Sequence, residues 1–85
     1  IQKASYMKQA LSENGFTVLN NNTSLREFLI QTKRLAEDVI LEMGSKGFLA
    51  GIKYSDNEIL IAVTEKRTRE QIDNYVESLM EVDNA

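Results

Sequence analysis

Apolar positions along the chain change period several times, and each change marks an element. Over residues 1–14, Ile1, Ala4, Met7 and Leu11 recur three to four residues apart, the spacing of one helical face. Asn14 and Gly15 stop that helix, because glycine takes the left-handed conformation that closes a last turn. Phe16–Leu19 is expected as a short strand, and Asn20 to Ser24 as a polar loop whose side chains bond their own backbone. Leu25–Thr32 reads as a second strand, with Phe28 and Ile30 on one face and Glu27, Leu29 and Gln31 on the other. A second helix is predicted from about Lys33, capped by Thr32, with Leu35, Ala36, Val39, Ile40 and Met43 as its apolar face. Gly44 weakens its last turn by about 1 kcal/mol relative to alanine, and Gly47 ends it.

Phe48–Tyr54 is predicted as a third strand, Ser55, Asp56 and Asn57 as a turn, and Glu58–Thr64 as a fourth strand. Ile59–Val63 is apolar at both parities, the pattern of a central strand covered on both sides. Thr68, Arg69, Glu70 and Gln71 spell a capping box that opens the last helix. Its buried stripe is Ile72, Tyr75, Val76, Leu79 and Met80, and Glu81–Ala85 is expected to fray. The order α-β-β-α-β-β-α, with short connections, predicts an α+β fold: an antiparallel or mixed sheet with helices on one face. No repeat, linker or low-complexity stretch divides residues 1–85, so one domain is expected, with 1–14 as its opening helix and 81–85 as its tail.

A chain of 85 residues buries only about 60–65% of its unfolded surface, so its core is modest. Hydrophobic residues make up 42% and charged residues 27%, a globular rather than a disordered balance. The chain has no cysteine, which excludes disulfides, zinc–thiolate sites and redox dithiols. It has no histidine either, so an imidazole base or a Ser-His or Cys-His pair is excluded. A formal charge of −3 argues against nucleic acid, whose phosphates call for a basic stripe. The longest apolar stretches, Phe48–Ile52 and Ile59–Val63, fall far short of the ~20 residues that span a bilayer, so no membrane partner is expected. The first residue is isoleucine and no charged-then-apolar leader opens the chain; the expectation is a soluble, cytoplasmic fragment with something upstream removed.

Three stretches invite a functional reading beside a plainer one. Thr64 to Glu70 carries Lys66, Arg67 and Arg69 near a helix start, where cations can hold a carboxylate or phosphate. The plainer reading is a solvated turn that caps a helix. Lys33 and Arg34 at the start of the middle helix oppose its dipole, as an anion-facing or partner-facing pair or as a tolerated surface cost. Gly47, Phe48, Leu49, Ala50 and Gly51 either permit close backbone approach to a ligand or a neighbouring domain or simply stop a helix before a core strand. This stretch is no phosphate loop, since it precedes a strand and lacks the paired lysine and hydroxyl. None of the six lysines sits in the apolar or cation-lined setting of a Schiff-base lysine, Lys53 coming nearest. The acid pairs Glu37 with Asp38 and Asp73 with Glu77 lie on polar helix faces.

Four collinear segments carry a family resemblance. Ile61 to Asp73, reading IAVTEKRTREQID, closely resembles a segment near the C-terminus of glycine dehydrogenase (decarboxylating) subunit 1, one half of the split P-protein of the glycine cleavage system. Gln2 to Tyr6 resembles that family's Lys-Ala-His-Tyr, Glu27 to Ile30 its Asn-Glu-Phe-Val-Val strand, and Gly47 to Gly51 its Gly-Ile-x-Gly-Gly turn. The likeness runs from Ile1 to about Val82. Ser5 stands where the family often has histidine, Arg26 where it has asparagine, and Ala50 where it has the first of two glycines; Tyr54–Asn57 is shorter than the family's insertion.

The resemblance implies the small C-terminal domain of an aminotransferase-like, fold type I pyridoxal-phosphate enzyme. In that family pyridoxal phosphate is the electron sink for glycine decarboxylation, and the aminomethyl group passes to the lipoyl arm of the H-protein. The cofactor lysine belongs to the large domain of the partner subunit, so no catalytic, cofactor-binding or metal-binding residue carries over, and no activity is expected of this stretch alone. The implied partners are the large domain of the same subunit, the partner P-protein subunit and the H-protein. Contact with them, or the active-site rim, is expected at Arg26, Glu27 and Phe28, at Gly47, Phe48, Leu49, Ala50 and Gly51, and at Lys66 and Arg67. The competing reading is a stand-alone, non-enzymatic α/β regulatory or protein-interaction module that uses a sheet face or edge.

Overall fold

A computed structural model of the chain describes residues 3–20, 27–63 and 66–85. Its elements are α1 (Lys3–Glu13), β1 (Val18–Asn20), β2 (Glu27–Gln31), α2 (Ala36–Ser45), β3 (Ile52–Ser55), β4 (Glu58–Ala62) and α3 (Arg69–Asp83). The fold is thus α+β, and the sheet is antiparallel throughout its four strands, in the order β1-β2-β4-β3.

Register explains the core. Phe28 pairs with Ile61 and Ile30 with Ile59, so these four side chains share one face of the sheet. All are buried, and they join Met7 and Leu11 of α1, Val39 and Met43 of α2, and Ile72, Val76 and Leu79 of α3 in one apolar cluster. The three described helices therefore pack on that face, as the pattern predicts. The other face departs from expectation. β4 is interior to the sheet, yet Leu60 is half-buried and Ala62 exposed, where the apolar run predicts cover on both sides. Among the described residues no helix lies over that second face.

Two helices close in the same way. Gly15 and Gly47 take φ of +90° and +88°. The amide of the phenylalanine that follows each one reaches back into the last turn, Phe16 to the Leu11 carbonyl (3.0 Å) and Phe48 to the Met43 carbonyl (2.9 Å). This is the Schellman closure, and both glycine stops stand as the sequence places them. The capping box of α3 also forms: the Gln71 amide donates to Thr68 Oγ1 at 3.1 Å, and the Thr68 amide to Gln71 Oε1 at 2.9 Å.

The start of α2 is a correction. The helix begins at Ala36 rather than Lys33, and Thr32 does not cap it. The Thr32 hydroxyl instead donates to the Arg34 carbonyl (2.7 Å), its amide donates to the Asn57 carbonyl (2.8 Å), and the Ala36 amide donates to the Asp56 carbonyl (2.7 Å). Lys33 and Arg34 thus sit just ahead of the helix rather than in its first turn, and Leu35 is 52% exposed rather than part of the buried face. The tail is a second correction. α3 runs to Asp83 with Val82 and Asp83 buried, instead of fraying from Glu81. The Asp83 carboxylate accepts the Lys33 amide at 3.0 Å from each oxygen and the Arg34 amide at 3.1 Å, which fixes the helix end against the loop.

Strand limits shift modestly. β1 starts at Val18 rather than Phe16, and Leu25 and Arg26 of the expected second strand lie outside the described residues. β4 ends at Ala62; Thr64, which closes the expected strand, lies outside the described residues. β3 starts at Ile52 because Gly51 turns the chain, with φ +144°, and the Tyr75 hydroxyl holds the Ala50 carbonyl away from the sheet.

Candidate functional site

That early departure of β3 opens a cleft. β2 pairs with β4 as far as Ala62, but β3 pairs with it only as far as Leu60. The β3-side edge of β4 at Ile61 and Ala62 therefore faces a cavity of about 480 Å³, bounded by the 47–51 turn and the first turns of α3. Its floor and walls are apolar, with Met7, Ile61, Val63 and Ile72 among them, and its polar groups are few: Glu27, Arg67, Gln71 and Asn74.

The three segments singled out in the sequence meet here. Glu27, the whole of Gly47 to Gly51, and Arg67 line the cleft. Phe28 does not, since it points to the opposite face of β2 and is fully buried in the core. Lys66 is exposed and lies outside the lining. Arg26, with Thr64 and Glu65, falls outside the described residues. Sequence reasoning overlooked Gln71, Asn74 and the cleft-facing role of Tyr75. Their spacing on the first turns of α3, three to four residues apart, is the signal that groups them on one side.

The helix-stop reading of the glycine stretch holds at Gly47, while the close approach, expected toward a ligand or a neighbouring domain, is made at Gly51 toward the chain itself. Gly47 is the helix stop, with open space where a Cβ would sit. Gly51 is the close approach: a Cβ there would lie 2.5 Å from the Leu60 carbonyl oxygen and 2.8 Å from Ile59 Cγ2. The neighbour is the protein's own strand. Between them, Leu49 is 86% exposed at the lip, and Phe48 meets the Tyr75 ring edge-on at 6.1 Å.

The electrostatics suit binding more than proton transfer. Burial raises the pKa of Tyr75, so its hydroxyl stays protonated and serves as a fixed donor to Ala50. Arg34, Lys33, Arg69 and Lys53 are engaged elsewhere. Arg34 grips Glu42 with two bonds of 2.7 and 2.9 Å and donates to the Val82 carbonyl at 2.9 Å, and Lys33 donates to Asn84 Oδ1 at 2.7 Å. Arg69 stacks on Tyr6 at 5.1 Å, and Lys53 lies 3.8 Å from Asp56 and 4.0 Å from Glu37. Tyr6 donates to Asp73 at 2.6 Å, and that hydrogen bond raises its pKa. Among the described residues no group of three potential metal ligands gathers, and no helix is long and apolar enough to cross a membrane. No lysine lines the cleft. The residues present therefore do not fit pyridoxal phosphate, which needs an amine to hold its aldehyde carbon.

No family model matches the chain. Individual proteins do. A probable glycine dehydrogenase (decarboxylating) subunit 1 from Staphylococcus haemolyticus is 32% identical over 91 residues, covering 100% of this chain and 20% of that protein. Proteins with the same name from Macrococcus caseolyticus and Prosthecochloris aestuarii are 35% and 37% identical, over 89% and 93% of the chain and 18% and 19% of their own lengths. The chain is thus similar to glycine dehydrogenase (decarboxylating) subunit 1 proteins and spans about a fifth of their length.

Proposed function

We propose, from that kinship, that the chain is the small C-terminal domain of a glycine dehydrogenase (decarboxylating) subunit of the glycine cleavage system. In this reading it has the aminotransferase-like small-domain fold and works in the cytoplasm. It supports pyridoxal-phosphate-dependent decarboxylation of glycine and transfer of the aminomethyl group to the lipoyl H-protein. When bound, the cofactor supplies the electron sink for loss of carbon dioxide. The lysine that holds it belongs to the large domain of the partner subunit, in keeping with a cleft that no lysine lines.

The observation that carries this reading is convergence. Segments far apart in the chain, which resemble the family one by one, come together around one cleft, with Glu27, Gly47–Gly51 and Arg67 on its walls. An apolar trough with Arg67 at its mouth is suited to seating a neighbouring domain and forming part of an active-site rim. The test is to co-express the complete polypeptide with its partner subunit and assay glycine–bicarbonate exchange with H-protein. Exchange is the expected result. A folded, cofactor-loaded complex that shows none overturns the assignment.

A further inference from the structure

Asn14 and Gly15 form the only Asn-Gly pair in the sequence, and every other asparagine is followed by a residue with a side chain. The pairing matters chemically, because a glycine nitrogen has no neighbouring Cβ to shield it from the preceding side-chain amide. Both residues are exposed, just past the end of α1. Two hydrogen bonds occupy the groups that would react. The Gly15 amide donates to the Ser12 carbonyl at 3.2 Å, and Asn14 Nδ2 donates to the Ala10 carbonyl at 2.7 Å. Both bonds belong to the closing turn of a helix, where opening costs least. The closure itself does not demand asparagine, since the matching turn at Gly47 is built with Lys46 in that place.

We propose that Asn14 is a self-modification site, converted to aspartate and isoaspartate when the closing turn of α1 opens. The Gly15 backbone nitrogen gives its proton to solvent and attacks Asn14 Cγ. The N–Cγ bond forms, the Cγ–Nδ2 bond breaks, and Nδ2 leaves as ammonia after taking a proton from solvent. Water then opens the cyclic imide at either carbonyl. One opening gives aspartate, and the other gives isoaspartate, in which the main chain runs through the side chain. Either product adds a negative charge beside Glu13 at the C-terminus of α1, where the helix dipole disfavours it. Isoaspartate also inserts a methylene into the ring that the Phe16 amide closes onto the Leu11 carbonyl at 3.0 Å. Phe16 and Leu11 are both buried in the core, and next to them the Thr17 carbonyl accepts the Gln31 amide at 3.0 Å. Isoaspartate therefore loosens the helix stop and the entry to β1 together.

The test incubates the complete polypeptide in mildly alkaline buffer and reads the amide-to-acid mass gain at residue 14 by peptide fragmentation. Asn20, Asn21 and Asn22 lie on the same tryptic peptide and serve as the internal comparison. Asn14 is expected to convert first, no more than about a hundredfold more slowly than in the same polypeptide unfolded in urea, the cost of opening one helix turn. Conversion at Asn20 to Asn22 ahead of Asn14 overturns the proposal. A larger suppression also overturns it, because the reaction then waits for global unfolding. Gly15→Ala should convert at least about tenfold more slowly, since a Cβ crowds the attacking nitrogen; an unchanged rate removes the proposed attack. The isoaspartate form, separated by chromatography, should exchange the Phe16 and Gln31 amides faster than the unmodified protein. Freshly prepared Asn14→Asp carries the charge without the rerouted chain and should keep both amides protected. Equal protection in all three forms overturns the structural consequence.

Discussion

The loops that lead into and out of α2 have opposite constructions. The incoming loop, Thr32 to Leu35, is sewn down by polar bonds from distant parts of the chain: Asn57, Asp83 and the Val82 carbonyl all hold it. The outgoing loop, Lys46 to Gly51, is set by two glycines and one tyrosine hydroxyl, and it leaves Leu49 in solvent beside the cleft. The difference teaches where the domain is closed and where it is open for contact. Polar groups with partners inside the chain finish one end, while an apolar lip is kept at the other.

Substitutions in the two loops should separate these roles. The largest effect is expected at Gly51→Ala, where a Cβ meets the Leu60 backbone in a conformation reserved for glycine, costing about 3 kcal/mol or more. Gly47→Ala, in open space, should cost only about 1 kcal/mol; similar losses for the two in urea unfolding would break the distinction drawn between them. In the incoming loop, Asp83→Ala strands the Lys33 and Arg34 amides and should cost about 2–3 kcal/mol, with faster amide exchange at residues 33 and 34. Tyr75→Phe removes the donor to Ala50 and should cost about 1 kcal/mol, with loosening confined to residues 48–51 in hydrogen exchange.

The smallest effect concerns pH. The hydrogen bond from Arg34 holds the Glu42 carboxyl below its ordinary range. Its contribution is therefore present above the unfolded value of about 4.3 and is lost as pH falls through the lower folded-state value. Glu42→Gln lacks that contribution at every pH. The gap in unfolding midpoint between the two proteins should be small at pH 7 and should close in acid. A gap that widens in acid would contradict the assignment.

Local chemistry made the outgoing loop and α3 legible. Glycine's freedom at positive φ marks Gly15 and Gly47, and Thr68 with Gln71 writes a complete cap within four residues. The alternation at Phe28 and Ile30 against Glu27 and Leu29 gave the correct faces of β2. The start of α2 was not legible, because Asp83 is about fifty residues away and no local pattern reports a carboxylate arriving from another helix. For the same reason Glu81–Ala85 reads as a tail. The cleft was half legible: its segments stood out singly, while the turn at Gly51 and the bond from Tyr75 that bring them together are tertiary facts.

Asp83 also imposes an order on assembly. The loop at Lys33 and Arg34 receives three of its bonds from a carboxylate that is synthesised about fifty residues later. On the ribosome, α2 and the β3–β4 hairpin are synthesised before that carboxylate exists. The junction ahead of α2 therefore stays unset until the last turn of α3 has been made, and the final turn of the last helix serves as the signal that the earlier half can lock.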